Sequence, residues 1–390
     1  MLHQIVLIIE YCILAYLTIQ VGYLLFFSLA GKIVKPTIFA AAKTLRRIRI
    51  FIPGYKEDSV IIATAKNALS QDYPKDLYEV VIIADSFSEA TLAGLRSLLV
   101  KVVEVHFENS TKGKALQKAI EATQQEPTDI LLILDADNHM APGFLHAVNN
   151  AFEKGYEVVQ GHRTAKNFQT SFAFLDACIE EINNHYFRRG HAAVGLPSAL
   201  IGSGMAFDWQ LFIAMLKDIG DTSGEDKEFE FRLLRQGKKM AFLDGAFVYD
   251  EKVASSEVFT KQRSRWLAIQ VEFFKKYFLE GWVQLFKGNI AFFNKVFQTY
   301  LFPRVLLIAT LFTWLVFVLL MAPQFTAISI ALIAALAVSL LLGIPPRWYN
   351  KQLLTALLQI PAALVSMITA MMHIGKARKT FIHTPHGETV

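Results

Sequence analysis

The feature that most limits how this chain can fold is where its apolar residues lie. Four stretches, 5–30, 300–322, 325–344 and 352–374, are long and apolar enough to meet the roughly 20 residues that a hydrocarbon core demands. Between the first two lies a block, 45–280, with the mixed composition of a globular α/β domain. The whole chain is 53% hydrophobic and 19% charged, too apolar for a purely soluble protein and too charged for a membrane bundle alone. The first stretch lacks a basic start, is too long for a signal peptide's apolar core and precedes no clear small-residue cleavage site, so it reads as an uncut anchor. Lys32, Lys35, Lys43, Arg46, Arg47 and Arg49 follow it. The positive-inside rule then places residues 31–297 in the cytoplasm and the N-terminus outside. The expected order is an anchor (1–31), the α/β domain (45–280), an interfacial amphipathic helix (281–298), a membrane region (299–375) and a tail (376–390), in a multi-pass protein of the plasma (inner) membrane.

Four full spans would put the tail outside, yet Lys376, Arg378 and Lys379 favour the cytoplasm. Pro361 removes a backbone donor inside Leu353–Met372 and is expected to break that stretch into a re-entrant or interfacial pair, leaving the tail cytoplasmic.

Within the block, compact Val- and Ile-rich runs alternate with helical periodicity. Ile48–Ile52, Glu79–Ala84, Val102–His106 and Ile130–Leu134 read as strands; Asp58–Leu69, Glu89–Leu99 and Lys114–Thr123 read as helices. This alternation predicts a Rossmann-like, mostly parallel sheet with helices on both faces, its site beyond the carboxyl ends of the strands. Pro53, Asp85 and Asp135 all fall there. Further on, Glu157–Gly161 and Met240–Tyr249 read as strands, and Ser171–Arg188, Glu225–Arg235 and Glu257–Phe278 as helices. Trp282–Tyr300 mixes aromatics with Lys287 and Lys295 and reads as a helix at the membrane interface or an ordinary surface helix.

The net charge of +5 is modest and fits lysines and arginines facing anionic lipid, so nucleic acid is not an expected partner. Cys12 and Cys178 are the only cysteines and have no metal-ligand spacing. Asp135 and Asp137, two residues apart just past a buried strand, offer hard oxygen ligands to one Mg2+ or Mn2+ shared with substrate phosphate. Gln262, Arg265 and Trp266 share one helix face by three- and four-residue spacing. An arginine there can grip phosphate and a tryptophan can underlie a sugar ring.

Taken in order, Asp85, Asp135-Ala-Asp137, Gly224-Glu-Asp226 and Gln262-Arg-Ser-Arg-Trp266 resemble the processive family-2 glycosyltransferases, the group of cellulose, chitin and hyaluronan synthases, from about residue 47 to 270. The resemblance implies a GT-A-like domain between transmembrane helices and inverting transfer from a UDP-sugar to a growing glycan. Non-processive transfer to a lipid or short glycan is the alternative. It implies nucleotide contacts from Pro53, Tyr55, Glu57, Asp85, Lys114 and Asp135, cation binding by Asp135 and Asp137, and a general base in Asp226. Glu225, Gln262, Arg265 and Trp266 would line the diphosphate and acceptor. Ile201-Gly-Ser-Gly-Met-Ala-Phe207 is similar to the family's acceptor-side segment and equally compatible with a bulged strand. Likewise Asp85 suits a turn and Lys114 a solvated helix start. Polymer export through so few spans would call for a homo-oligomer or an export partner. Lys56, Ala84 and Gly224 depart from the family pattern, and they alone favour a non-catalytic scaffold.

Overall fold

Alternation along the strands creates two cores, one on each face of a single sheet. The computed structural model describes residues 1–217, 219, 224–252 and 256–372, apart from the side chains of 2, 256–259 and 261. The basic tail residues Lys376, Arg378 and Lys379 lie outside these residues.

The strands are β1 (Ile48–Tyr55), β2 (Tyr78–Asp85), β3 (Lys101–Val105), β4 (Ile130–Ile133), β5 (His139–Met140), β6 (Val158–Ala165), β7 (Met205–Asp208) and β8 (Met240–Asp250). Their order across the sheet is β3-β2-β1-β4-β7-β6-β8-β5. The first four are parallel, as the alternation predicted. Beyond β4 the sheet is mixed: β7 runs antiparallel to β4 and β6, and β5 antiparallel to β8. The expectation of a mostly parallel sheet therefore holds for the N-terminal half. It gives way where the four-residue β7 is inserted, too short to show a period in the sequence.

The helices are α1 (Leu2–Ile33), α2 (Ile61–Leu69), α3 (Glu89–Arg96), α4 (Lys112–Thr123), α5 (Phe144–Glu153), α6 (Ser171–Asn184), α7 (His191–Ala193), α8 (Trp209–Leu216), α9 (Glu225–Arg235), α10 (Ser256–Phe286), α11 (Ile290–Tyr300), α12 (Arg304–Met321), α13 (Thr326–Leu342), α14 (Lys351–Leu357) and α15 (Ile360–Met372). Ile50, Ile52, Val80 and Ile82 face α2, α3 and α5. Phe51, Val81, Ile83 and Leu131 face the opposite way, towards α4, α8, α9, α10 and α11. Phe231 of α9 stacks on Tyr277 (4.1 Å) and Phe273 (5.6 Å) of α10. Such ring pairs contribute about 0.5–1.5 kcal/mol each beyond area burial, which clamps α10 over the sheet.

The expected interfacial helix is two elements. Gly288, at φ 82°, ends α10 in a left-handed turn and starts the hairpin into α11. One face of α11 buries Phe292, Lys295 and Val296 against the domain, while Trp282, Val283, Phe286 and Ile290 stay exposed around the hairpin.

Among the described residues, three helices are long and apolar enough to cross a membrane: His3–Ile33, Arg304–Met321 and Pro323–Leu342. Leu14, Leu17, Val21 and Leu24 form a buried seam on α1, packed with Leu307, Leu311 and Val318 of α12 and Leu332 and Leu336 of α13. The last apolar stretch is bent by 41° between α14 and α15. The bend precedes Pro361, whose ring suits the first turn of α15 and not the interior of a continuous helix. Met367 and Ala370 of α15 pack on Leu267 of α10 and Leu306 of α12.

Six residues, His185–Gly190, continue α6 as a wider π-helical turn, and α1 lies against it. A β-carbon on Gly190 would sit 2.3 Å from the Phe27 carbonyl oxygen, so only glycine permits this approach. Gly190→Ala should force α1 off the domain and cost about 1–3 kcal/mol. Denaturant unfolding of the detergent-solubilised protein checks this; an unchanged midpoint would contradict the close packing.

Candidate active site

Parallel strands end together, and here their ends bring three loops to one crevice. Tyr55 and Asp85 are register partners at the tips of β1 and β2, and the Lys56 N–H donates to the Asp85 carbonyl at 3.0 Å. A β-carbon on Gly54 would meet Phe87 at 2.7 Å and the Ala136 β-carbon at 3.5 Å, so the loops after β1, β2 and β4 touch. Pro53 is the third residue from the end of β1, and Glu57 lies buried just beyond it. Lys56 (φ 55°) and Ser86 (φ 60°) are the described non-glycine residues with positive φ. Strain of this kind clusters at ligand sites. Asp85 is buried and accepts from Ser86 Oγ at 2.9 Å; the cap of α3 is Ser88, so Asp85 is left to the crevice.

The loop after β4 is held from behind. Ser203 Oγ accepts from the Asp135 N–H at 2.9 Å and donates to Asn138 Oδ1 at 2.6 Å; Asn138 Nδ2 donates to Asp250 Oδ1 at 2.9 Å. Asp137 is almost wholly buried, its Oδ2 accepting from the Glu251 N–H at 3.1 Å. Asp135 keeps a third of its side chain exposed. His139 Nε2 lies 3.4 Å from Lys166 Nζ, and burial together with that lysine holds the imidazole below its usual pKa.

Lys112 sits at the centre. Its Nζ donates to Asp135 Oδ1 at 2.5 Å and to the Gly202 carbonyl at 2.7 Å. Burial pulls the ammonium down in pKa, but Asp135, Glu225 and Asp226 more than offset this and raise it. Lys114, the lysine singled out by the family resemblance, instead reaches the Asn109 carbonyl at 3.2 Å. Thr111 caps α4, its Oγ1 accepting from the Lys114 N–H at 3.2 Å. Gly202, at φ 87°, needs a left-handed backbone, and a β-carbon there would lie 3.9 Å from both Asp226 Oδ2 and Lys112 Nζ. The glycine segment 201–204 is thus both a turn into β7 and a wall of the cleft.

Glu225 and Asp226 open α9, in its first turn. Burial, with repulsion from Asp226, raises the Glu225 pKa against the pull of Lys112 and Arg265. Asp226 goes the other way: burial pushes it up, but Lys227, the Lys227 N–H at 2.8 Å, Lys112 and Lys295 bring it below the usual range. The two adjacent carboxyls are thus shifted in opposite directions.

On α10, Gln262 Oε1 and Arg265 Nε are buried with no hydrogen-bond partner among the described residues. Buried polar atoms are ordinarily satisfied, so these two are suited to a ligand. Arg263, which sequence reasoning passed over, donates to Asp176 Oδ1 at 2.7 Å and covers one face of Trp266 at 4.3 Å. Trp266 therefore has one face taken, and any sugar would use the other or its edge.

No three His, Cys, Asp or Glu side chains surround one point among the described residues. Two carboxylates completed by substrate phosphate, the usual magnesium arrangement, is the donor set that Asp135 and Asp137 fit.

Residues 46–268 match the family described as Glycosyltransferase like family 2, and the chain belongs to that family. Its sheet and site loops are those of a mixed α/β, Rossmann-like GT-A domain. It is 27% identical over 236 residues to the probable glycosyltransferase YdaM of Bacillus subtilis, covering 57% of this chain and 55% of that one. It is also 27% identical over 227 residues to the beta-monoglucosyldiacylglycerol synthase of Trichormus variabilis, covering 56% and 48%. The chain thus spans about half the length of these relatives. Among solved structures, the mannosyltransferase PcManGT of Pyrobaculum calidifontis, in complex with GDP-Man and Mn2+, shares the fold with a TM-score of 0.51 at 17% identity, over 94% of this chain and 98% of that one.

Lys112→Met removes the ammonium held between Asp135 and α9. UDP affinity, measured by calorimetry, should fall about 10-fold or more, the loss expected for a charge-assisted bond. Lys114→Met should cost less. The opposite ranking would favour Lys114 as the lysine beside the diphosphate.

Proposed function

We propose that this protein is a membrane-anchored, inverting glycosyltransferase that moves one sugar from a UDP-sugar to a lipid acceptor at the cytoplasmic face. The observation that carries the reading is the convergence of Asp135, Lys112, Gly202 and Asp226 at the strand ends, with Arg265 acting on Glu225 from above.

The base of the donor is assigned to Tyr55, Glu57 and Asp85 at the ends of β1 and β2. A divalent cation held by Asp135 and Asp137 would supply positive charge against the diphosphate. Lys112 and Arg265 add fixed positive charge that needs no reorganisation as the bond to UDP breaks. The acceptor hydroxyl attacks the anomeric carbon, the carbon–oxygen bond to UDP opens, and the hydroxyl proton passes to Asp226, already ionised at neutral pH. No enzyme nucleophile is needed for a single displacement with inversion.

The lipid acceptor is favoured by placement and by kinship. The roof helix α10 packs directly on α15 and on the first turn of α12, so the cleft adjoins apolar helices. A relative matched across the same domain carries a diacylglycerol lipid in its name. The Gln262–Trp266 signature favours the other reading, repeated addition to a polymer. Against it, the three candidate spans and one bent pair among the described residues give a polymer channel only a thin lining.

Product length separates these readings: with labelled UDP-sugar and lipid, a single labelled species is expected, and a ladder would overturn single transfer. Asp226→Asn should reduce turnover roughly 100-fold or more with UDP affinity almost unchanged. Near-normal turnover would remove Asp226 as the base, since asparagine suits a helix start nearly as well.

A further inference from the structure

Helices α9 and α10 meet along a seam that begins at the cleft, and their contacts advance together along both. Glu228 accepts from Lys276 Nζ at 2.6 Å and from the Tyr277 hydroxyl at 2.9 Å. Phe231 stacks on Phe273 and Tyr277, and Arg235 donates to both Glu280 oxygens at 2.7 and 2.8 Å. Long side chains fill the seam at these levels. The cleft end is different. There Gly224, the N-cap of α9, lies directly against α10: a β-carbon on it would sit 2.9 Å from Ile269 Cγ2 and 3.1 Å from Phe273 Cε2. Ile269 and Phe273 are 7% and 1% exposed and belong to the core between the sheet and α10. A β-branched side chain on a helix has little rotamer freedom, so Ile269 cannot swing clear.

Back from Ile269, α10 continues past the start of α9, where Glu225 and Asp226 stand. Arg265 and Gln262 lie one and two turns back, on the face that bears Ile269. At 1.5 Å per residue they project about 6 and 10 Å beyond it. Gln262 Oε1 and Arg265 Nε are the buried atoms left without a hydrogen-bond partner among the described residues of this overhang. Gly224 needs no glycine backbone, because its φ of −122° is open to any residue. Nor does a helix start prefer glycine to serine. What the position uses is the missing side chain.

We propose that Gly224 is a positioning residue: its missing side chain seats the cleft end of α10 on α9 and so sets the height of Gln262 and Arg265 above Glu225 and Asp226. Phe231 and Arg235 pin the far end of the seam. A side chain at 224 therefore acts as a wedge that tips the overhang away from the cleft. The proposal rests on Gln262 and Arg265 serving the donor diphosphate. Gly224 and Ile269 are then a matched pair, and this departure from the family pattern no longer favours a non-catalytic scaffold.

Gly224→Ser keeps a preferred cap residue and adds the wedge. UDP affinity with Mn2+ present, measured by calorimetry well below each variant's thermal midpoint, should fall about 10-fold, as when charge-assisted contacts to phosphate are drawn out of reach. Ile269→Ala removes the facing methyl group. The double variant Gly224→Ser/Ile269→Ala should therefore bind UDP within about twofold of Ile269→Ala alone, a non-additivity expected of residues in contact. A merely structural role would lower the thermal midpoints and leave the UDP affinity of the folded protein where it was. If Gly224→Ser fails to fold, Gly224→Ala carries the same β-carbon and takes its place. Unchanged UDP affinity in the single variant, or a loss that Ile269→Ala does not relieve, would overturn the proposal. Failure of the underlying reading looks different: Arg265→Met would then keep full UDP affinity.

Discussion

The ammonium of Lys112 is the contact on which the cleft depends. It joins Asp135, at the end of a strand, to the Gly202 carbonyl of the glycine segment, and its charge reaches Glu225 and Asp226 at the start of a helix. These pieces come from distant parts of the chain and carry like charges that would otherwise repel one another. At an effective dielectric of about 20, two unit charges 4 Å apart interact by about 4 kcal/mol, enough to offset much of the repulsion between the carboxylates. The lysine pulls both carboxyls down; burial still leaves Glu225 raised, while Lys227 adds to the pull on Asp226 and leaves it lowered.

Behind the cleft a second set of charges fixes the loop after β4. Glu180 lies 3.0 Å from Arg163, 3.7 Å from Lys252 and 3.9 Å from Arg188. Burial pushes Glu180 up, yet these cations hold it down at about 2. Asp250 joins the set through Lys252 at 2.6 Å and carries Asn138 on its other oxygen. Buried ion pairs are weak evidence for stability, because desolvation consumes much of the attraction. Their effect here is geometric: they determine where Asp135 and Asp137 stand relative to β8. The same region extends through Asp176 and Arg263 to the roof helix, so the cleft and the apolar helices share one rigid support.

Much of this was legible in the sequence. Strands β1 to β4 show as short Val- and Ile-rich runs because both faces of the sheet are covered, and parallel strands buried on both sides lose the alternating pattern. Their ends identified Asp85 and Asp135, and Pro361 signalled the bend before α15. What escaped reading depends on pairing across long stretches of chain. Asn138 and Asp250 are 112 residues apart and nothing local links them. Lys112 and Lys114 look equivalent in the sequence, and only the fold brings Lys112 to Asp135 and Gly202. The break at Gly288 was hidden by aromatic residues that continue on both sides of it. Arg263 reads as a spacer within Gln262–Trp266, and only the position of α6 gives it Asp176.

The central claim is that Asp135 and Asp137 form a cation site completed by the donor's phosphates. Electron paramagnetic resonance of Mn2+ titrated into the purified protein, with and without UDP, tests this directly. UDP should tighten Mn2+ binding, and Mn2+ should tighten UDP binding by the same factor, as linkage requires. Both effects should vanish in Asp137→Ala. Equal Mn2+ affinity with and without UDP, or full UDP affinity in the presence of a chelator, would contradict the account.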